Sequence, residues 1–162
     1  MFREKDRIFA VFGLGTFGLE VCRVLSEKGA KVIAVDQDQK LINKVKNTVT
    51  QAVRIDSSDE EALRNANLHD VDVGIVAIGN SIDGSILTTI LLKKLGVPYI
   101  IARATSEIHS EVLHQIGATE VINISLEEGQ RLAKRIISPE VVDMMPITKD
   151  QSIAEIRIPS GF

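Results

Sequence analysis

The segment Gly13-Leu14-Gly15-Thr16-Phe17-Gly18 follows directly on an apolar run at 8–12, and Asp36 closes the next apolar run eighteen residues after the last glycine. Residues of these types at this spacing suit the binding of a nucleotide. Gly13 permits a tight turn out of a strand, Gly15 lets a diphosphate approach the backbone with no Cβ in the way, and Gly18 lets the ensuing helix lie close on a sheet. That helix would aim free backbone N–H groups and the positive end of its dipole at phosphate oxygens. Asp36 stands where a carboxylate accepts hydrogen bonds from ribose hydroxyls. Its charge would repel a 2′-phosphate, so NADP is disfavoured. The same glycines also read as a strand-to-helix turn in a domain without a ligand.

Positioning these groups requires a particular set of elements. Short runs rich in β-branched residues, at 8–12, 31–35, 51–55, 71–78, 99–103 and 120–124, alternate with stretches of helical apolar spacing. Phe17, Val21, Val24 and Leu25 share one helix face, Ile82, Ile86, Ile90 and Leu91 a second, and Ile108, Val112, Leu113 and Ile116 a third. The expected fold is α/β: a doubly wound, parallel, six-stranded Rossmann sheet in the order 3-2-1-4-5-6.

In such a sheet a ligand lies in the crevice at the carboxyl ends of the strands. The residues leaving each strand are therefore the binding candidates: Gly13 to Gly18, then Asp36, Gln37 and Asp38, Asp56 and Ser57, Gly79 and Asn80, and finally Arg103, Ala104 and Thr105. Asp56 and Ser57 read either as adenine contacts or as part of a helix cap, since Ser57-Ser58-Asp59-Glu60-Glu61 is an N-terminal signature. Asn80-Ser81 likewise reads as a contact or as a cap. Arg103 would place a guanidinium near phosphates, its rival role being a surface ion pair.

Composition bounds the partners. The 162 residues suit one compact core, and 19 Lys+Arg against 22 Asp+Glu, net −3, with one Tyr and no Trp, lend no electrostatic support to nucleic-acid binding. One cysteine, Cys22, excludes an internal disulfide, suits a reducing compartment and reads as a small buried residue. No apolar run approaches the ~18 residues of a membrane span, so no direct membrane insertion is expected. An NAD-dependent oxidoreductase would need a substrate region and a proton-transfer residue. The residues after the sixth strand and its helix are too few for the first, and His69, His109 and His114 have no paired carboxylate at recognisable spacing. No catalytic residue is assigned.

After the sixth strand come Leu126, Leu132, Ala133, Ile136, Ile137, Val141, Val142, Met144, Met145 and Ile147, more apolar residues than one helix packed on its own domain needs. They point to an interface, with coverage of the sheet edge as the alternative. The segment from Ser152 to Pro159 reads as a fresh strand of alternating pattern. A strand without a partner cannot bury its face, which suggests that the chain is truncated.

The run at 9–18, Ile33-Ala34-Val35-Asp36, Ile75-Val76-Ala77-Ile78-Gly79, the segment 91–98, and His109, Val112 and Leu113 leading to Ile116-Gly117-Ala118 together resemble the RCK domain, also called KTN or TrkA N-terminal domain, across nearly the whole chain. The resemblance implies regulation: a cytoplasmic subunit of a Trk/Ktr-type potassium uptake system, peripheral at the inner face of the membrane. Such subunits dimerise, build a ring beneath an integral potassium-translocating subunit, and change shape when ATP, ADP, AMP or NAD(H) occupies the crevice. It implies nucleotide contacts from the strand-end residues above and from His109, which otherwise reads as solvent-exposed. It also implies residues 1–137 as the nucleotide-binding domain, with a helix crossing to a twofold-related partner, and 138–162 as a dimerisation segment and the start of a C-terminal lobe. Two departures stand out. Thr16 replaces the arginine usual in Ktr-type members, which implies weaker discrimination of ATP from ADP, AMP or NAD(H). Asn123-Ile124-Ser125 replaces a His-Pro-Glu-like stretch, which implies no metal site. The remaining alternatives are an oxidoreductase cofactor domain and a ligand-free assembly scaffold.

Overall fold

The alternation of β-branched runs with helical spacing is realised as written. The computed structural model describes residues 6–138, 141–146 and 152–156. Six strands, β1 (Ile8–Phe12), β2 (Lys31–Asp36), β3 (Gln51–Arg54), β4 (Val73–Val76), β5 (Tyr99–Arg103) and β6 (Glu120–Ile122), pair in parallel in the order β3-β2-β1-β4-β5-β6. They alternate with α1 (Thr16–Glu27), α2 (Gln39–Val45), α3 (Glu60–Asn65), α4 (Ile82–Lys94) and α5 (Glu107–Gln115). The pleat sends Ala10 and Phe12 into one buried cluster and Val11 into the other. Both faces of β1 are thus dry, which requires helices on both sides of the sheet. Register puts Phe12 beside Val35 on one side and Val76 on the other, so β1, β2 and β4 end together.

All three helix faces differ in part from the expected ones; in α1, Val24 is exposed and the buried residues are Gly18 and Cys22. The buried side of α4 is Ser85, Thr88, Thr89, Leu91 and Leu92; of the expected face only Leu91 is buried, while Ile82 is exposed, as is Leu87, and Ile86 and Ile90 are half-buried. Two of the three hydroxyls are satisfied close by: Thr89 Oγ1 donates to the Ser85 carbonyl at 2.8 Å, and Ser57 Oγ and Thr88 Oγ1 share a hydrogen bond of 2.8 Å, whereas Ser85 Oγ is buried without a partner among the described residues. In α5 the buried residues are His109 and Leu113, with Ile108 exposed. The Ser106 hydroxyl accepts the His109 N–H and sets that phase.

Backbone contacts divide the chain into two compact units, Met1–Asn123 and Ile124–Phe162. The second contains α6 (Ile124–Ile137) and the strands β7 (Val141–Pro146) and β8 (Ser152–Ile156), which pair antiparallel. Helix α6 is thereby grouped with the segment after it. Val141, Val142, Met144 and Met145, read above with the helical apolar residues, lie on a strand; Pro139, two residues before β7, cannot continue a helix, and the valines favour extended backbone. The strand at 152 is therefore not alone.

Candidate functional site

The first βα turn is built by its glycines. Gly13 has φ +94°, and a Cβ there would stand 3.0 Å from the Ile78 backbone nitrogen. A Cβ on Gly18 would overlap the Gly13 carbonyl oxygen, so α1 can approach the loop this closely only through a glycine. A Cβ on Gly15 would instead stand in open space, with nothing within 4 Å. The Gly13 N–H donates to the Val35 carbonyl at 2.9 Å, tying the loop to β2.

Asp36 joins two backbone segments. Its Oδ2 accepts the Leu14 N–H at 2.7 Å and its Oδ1 accepts the Asp38 N–H at 2.8 Å. The carboxylate therefore clamps the glycine loop to the exit of β2, and Asp38 in turn caps α2 by accepting the Lys40 N–H. Helices α3, α4 and α5 have side-chain caps at Asp59, Ser81 and Ser106, whereas α1 begins at Gly15 with no side-chain cap. The first N–H groups of α1 thus keep their donor capacity.

These loops border a cavity of about 680 Å³, within the range of ligand pockets. Of the sequence candidates, Gly13, Leu14, Gly15, Asp36, Gln37, Asp38, Asp56, Ser57, Gly79, Asn80 and Arg103 line it. Thr16 lies instead in a depression between α1 and α2, with Leu19, Glu20, Arg23, Lys44, Val45 and Thr48. Phe17 packs into the core and Gly18 is buried beneath the loop. Ala104 is buried and Thr105 is exposed, both outside the lining. His109 is also outside it: the ring is only 2% exposed, and its Nδ1 accepts the Thr105 N–H at 3.2 Å. Burial depresses the His109 pKa. Its Nε2 is buried without a partner among the described residues.

The cap and contact readings can now be separated. Asp59, not Ser57, caps α3, accepting the Ala62 N–H at 3.0 Å. Asp56 Oδ1 accepts from both the Ser58 hydroxyl and the Ser58 N–H, and these bonds hold its pKa below the usual carboxylate value. Ser81 caps α4 through the Gly84 N–H at 3.0 Å and also lines the cavity. Arg103 has no hydrogen bond or ion pair among the described residues, and its guanidinium lies against Gly79. Cys22 is fully buried, and burial pushes its thiol up to about 11.

Sequence reasoning missed Leu41, Ile55, Ser58, Ile78, Asp83, Gly84 and Leu87, all of which line the cavity. One signal could have found three of them: the helix after β4 starts at the crevice, so its first turns border whatever lies there. Among the described residues no group of three His, Cys, Asp or Glu side chains is placed to hold a metal ion.

The TrkA-N domain family description matches residues 9–124. The chain belongs to the TrkA-N family. This TrkA-N chain is 41% identical to Ktr system potassium uptake protein C of Bacillus subtilis (strain 168) over 148 residues, covering 91% of this chain and 67% of that protein. It is 35% identical to Ktr system potassium uptake protein A of the same organism over 156 residues, 96% of this chain and 70% of that one. Among solved structures, the NAD(P)-binding domain of an exopolyphosphatase-related protein from Archaeoglobus fulgidus aligns with a TM-score of 0.69 and 25% identity, over 80% of this chain and 96% of that chain. The TrkA-N match ends at residue 124, within one residue of the boundary between the two compact units. Among the described residues of this TrkA-N chain no helix is long and apolar enough to cross a membrane.

Proposed function

We propose that this chain is a regulatory, non-catalytic subunit of a potassium uptake system. It binds an adenine nucleotide, NAD(H) or ATP, ADP or AMP, in the cavity at the carboxyl ends of β1 and β2. The reading rests above all on one arrangement: a helix N-terminus without a side-chain cap behind a glycine loop, with Asp36 and Arg103, unpaired among the described residues, both lining the cavity. Phosphate oxygens would accept from the α1 N–H groups and from Arg103, and ribose hydroxyls would donate to the lone pairs that Asp36 has to spare after binding two backbone N–H groups. The open space above Gly15 fits a phosphate that a Cβ would exclude. The names of the Ktr relatives support potassium uptake as the setting, with an integral membrane subunit as partner and a cytoplasmic location at the membrane face.

A homodimer assembling into a larger ring fits the exposed apolar residues of α6, and residues 138–162 would then serve dimerisation and open a C-terminal lobe. Nucleotide binding would act by shifting a dimer between two shapes, to the extent that affinity differs between them. Calorimetric titration with ATP, ADP, AMP, NADH and NADPH tests the reading. Micromolar binding of adenine nucleotides, much weaker binding of NADPH, and ATP less than tenfold tighter than ADP are expected, the last because Thr16 replaces the arginine of Ktr-type members. Binding of none would overturn the nucleotide reading and leave an assembly scaffold. Hydride transfer from NADH to a substrate would overturn the non-catalytic one.

A further inference from the structure

The cavity is lined by four carboxylates, Asp36, Asp38, Asp56 and Asp83, and by one cation among the described residues, Arg103. Its guanidinium makes no ion pair with a described residue and lies across Gly79 instead. The sheet brings the two together: Val76 and Ala102 are register partners, so Arg103, one residue further along β5, runs beside the chain leaving β4. A Cβ at residue 79 would stand 2.6 Å from Arg103 Nη1, 2.9 Å from Cζ and 3.3 Å from Nη2. The guanidinium thus occupies the space that any side chain at 79 would take.

We propose that Gly79 is a positioning residue: its bare α-carbon seats the Arg103 guanidinium at the mouth of the cavity, where the fork receives the phosphates of the bound ligand. The inference rests on the nucleotide reading of the cavity and assigns the phosphate-facing cation and what holds it. Gly79 differs in kind from Gly13 and Gly18. A Cβ at either of those meets backbone atoms, so substitution there attacks the loop itself. At Gly79 the three nearest atoms it meets are all at the far end of a flexible side chain, and the φ of Gly79 is not positive, so alanine carries no backbone strain. Ordinary contact begins near 3.4 Å, which means the guanidinium must retreat by the better part of an ångström. A bidentate fork tolerates such a shift poorly, because its two parallel hydrogen bonds depend on its position and plane.

The test is a double-mutant cycle on the purified chain: wild type, Gly79→Ala, Arg103→Ala and the double variant, each titrated calorimetrically with AMP, ADP, ATP and NADH and each melted thermally. Gly79→Ala should keep or slightly raise the Tm while weakening the nucleotides that bind by roughly tenfold or more, the size of one lost charge-assisted hydrogen bond. In the Arg103→Ala background the same substitution should cost nothing further. Wild-type affinity in Gly79→Ala overturns the proposal, and so does an equal loss with and without Arg103, which would place the effect in the backbone at 79. Binding of no nucleotide by the wild type overturns the parent reading and this inference with it, a result distinct from undiminished binding by Gly79→Ala.

Discussion

At the scale of single residues, Asp36 and His109 show how one side chain can carry a structural duty beside or in place of a ligand role. The Asp36 carboxylate holds two backbone N–H groups, one of them in the glycine loop. Asp36→Ala should therefore cost about 1–3 kcal/mol of stability, read by urea unfolding, from loss of charge-assisted hydrogen bonds alone. Any nucleotide affinity lost in that variant then contains a loop contribution as well as a ribose one. His109 is held neutral by burial, with Nδ1 already accepting an N–H. Its folded pKa lies below the ordinary 6.5, so the unfolded chain takes up a proton that the folded chain resists. The stability from this residue is complete above about pH 6.5 and declines as pH falls below it. Thermal melts at pH 7.5 and 5.5 should show a larger drop for the wild type than for His109→Gln, and equal drops would refute the assignment.

At the scale of elements, the caps explain why helices start where they do. Ser81 ends the turn from β4, accepts the Gly84 N–H and starts α4 at the cavity edge. Ser81→Ala should destabilise the fold by about 1 kcal/mol, seen as a lower midpoint in urea with an unchanged slope. Strand positions were legible because parallel strands buried on both faces are nearly continuous apolar runs. Helix faces were less so. In α4 the isoleucines repeat at helical spacing, yet Ser85, Thr88 and Thr89 face the sheet, where a Cβ on Gly74 of β4 would stand only 3.0 Å from Leu92. Small residues and, at Thr88 and Thr89, locally satisfied hydroxyls allow that close packing, and hydropathy patterning cannot register it. The position of His109 escaped for the same reason: the turn that Ser106 and Thr105 impose sets the phase of α5, and the polarity of the ring does not.

At the scale of the whole molecule, α6 buries none of its residues, and Leu132, Ile136 and Ile137 are 47%, 68% and 81% exposed. Surface of that kind is usually covered by a partner. Light scattering at tens of micromolar should give twice the chain mass, and Ile136→Asp with Ile137→Asp should return it to the monomer. A monomeric wild type would count against self-association through this helix. Because the exposed residues belong to the second compact unit, and the cavity to the first, the paired substitution should leave nucleotide titration of the first unit measurable.

The order of the strands, the glycine loop and a part of the strand-end residues around the cavity followed from the sequence alone, because local propensity and the rules of parallel βαβ connection leave few topologies open. Three things needed the tertiary structure. Asp36 clamps the loop, Arg103 rests on Gly79, and residues 141–146 pair as a strand with 152–156. Each depends on atoms far apart in the chain meeting within a few ångströms. Composition and periodicity report what a residue prefers, and only the packed fold decides which neighbour it meets.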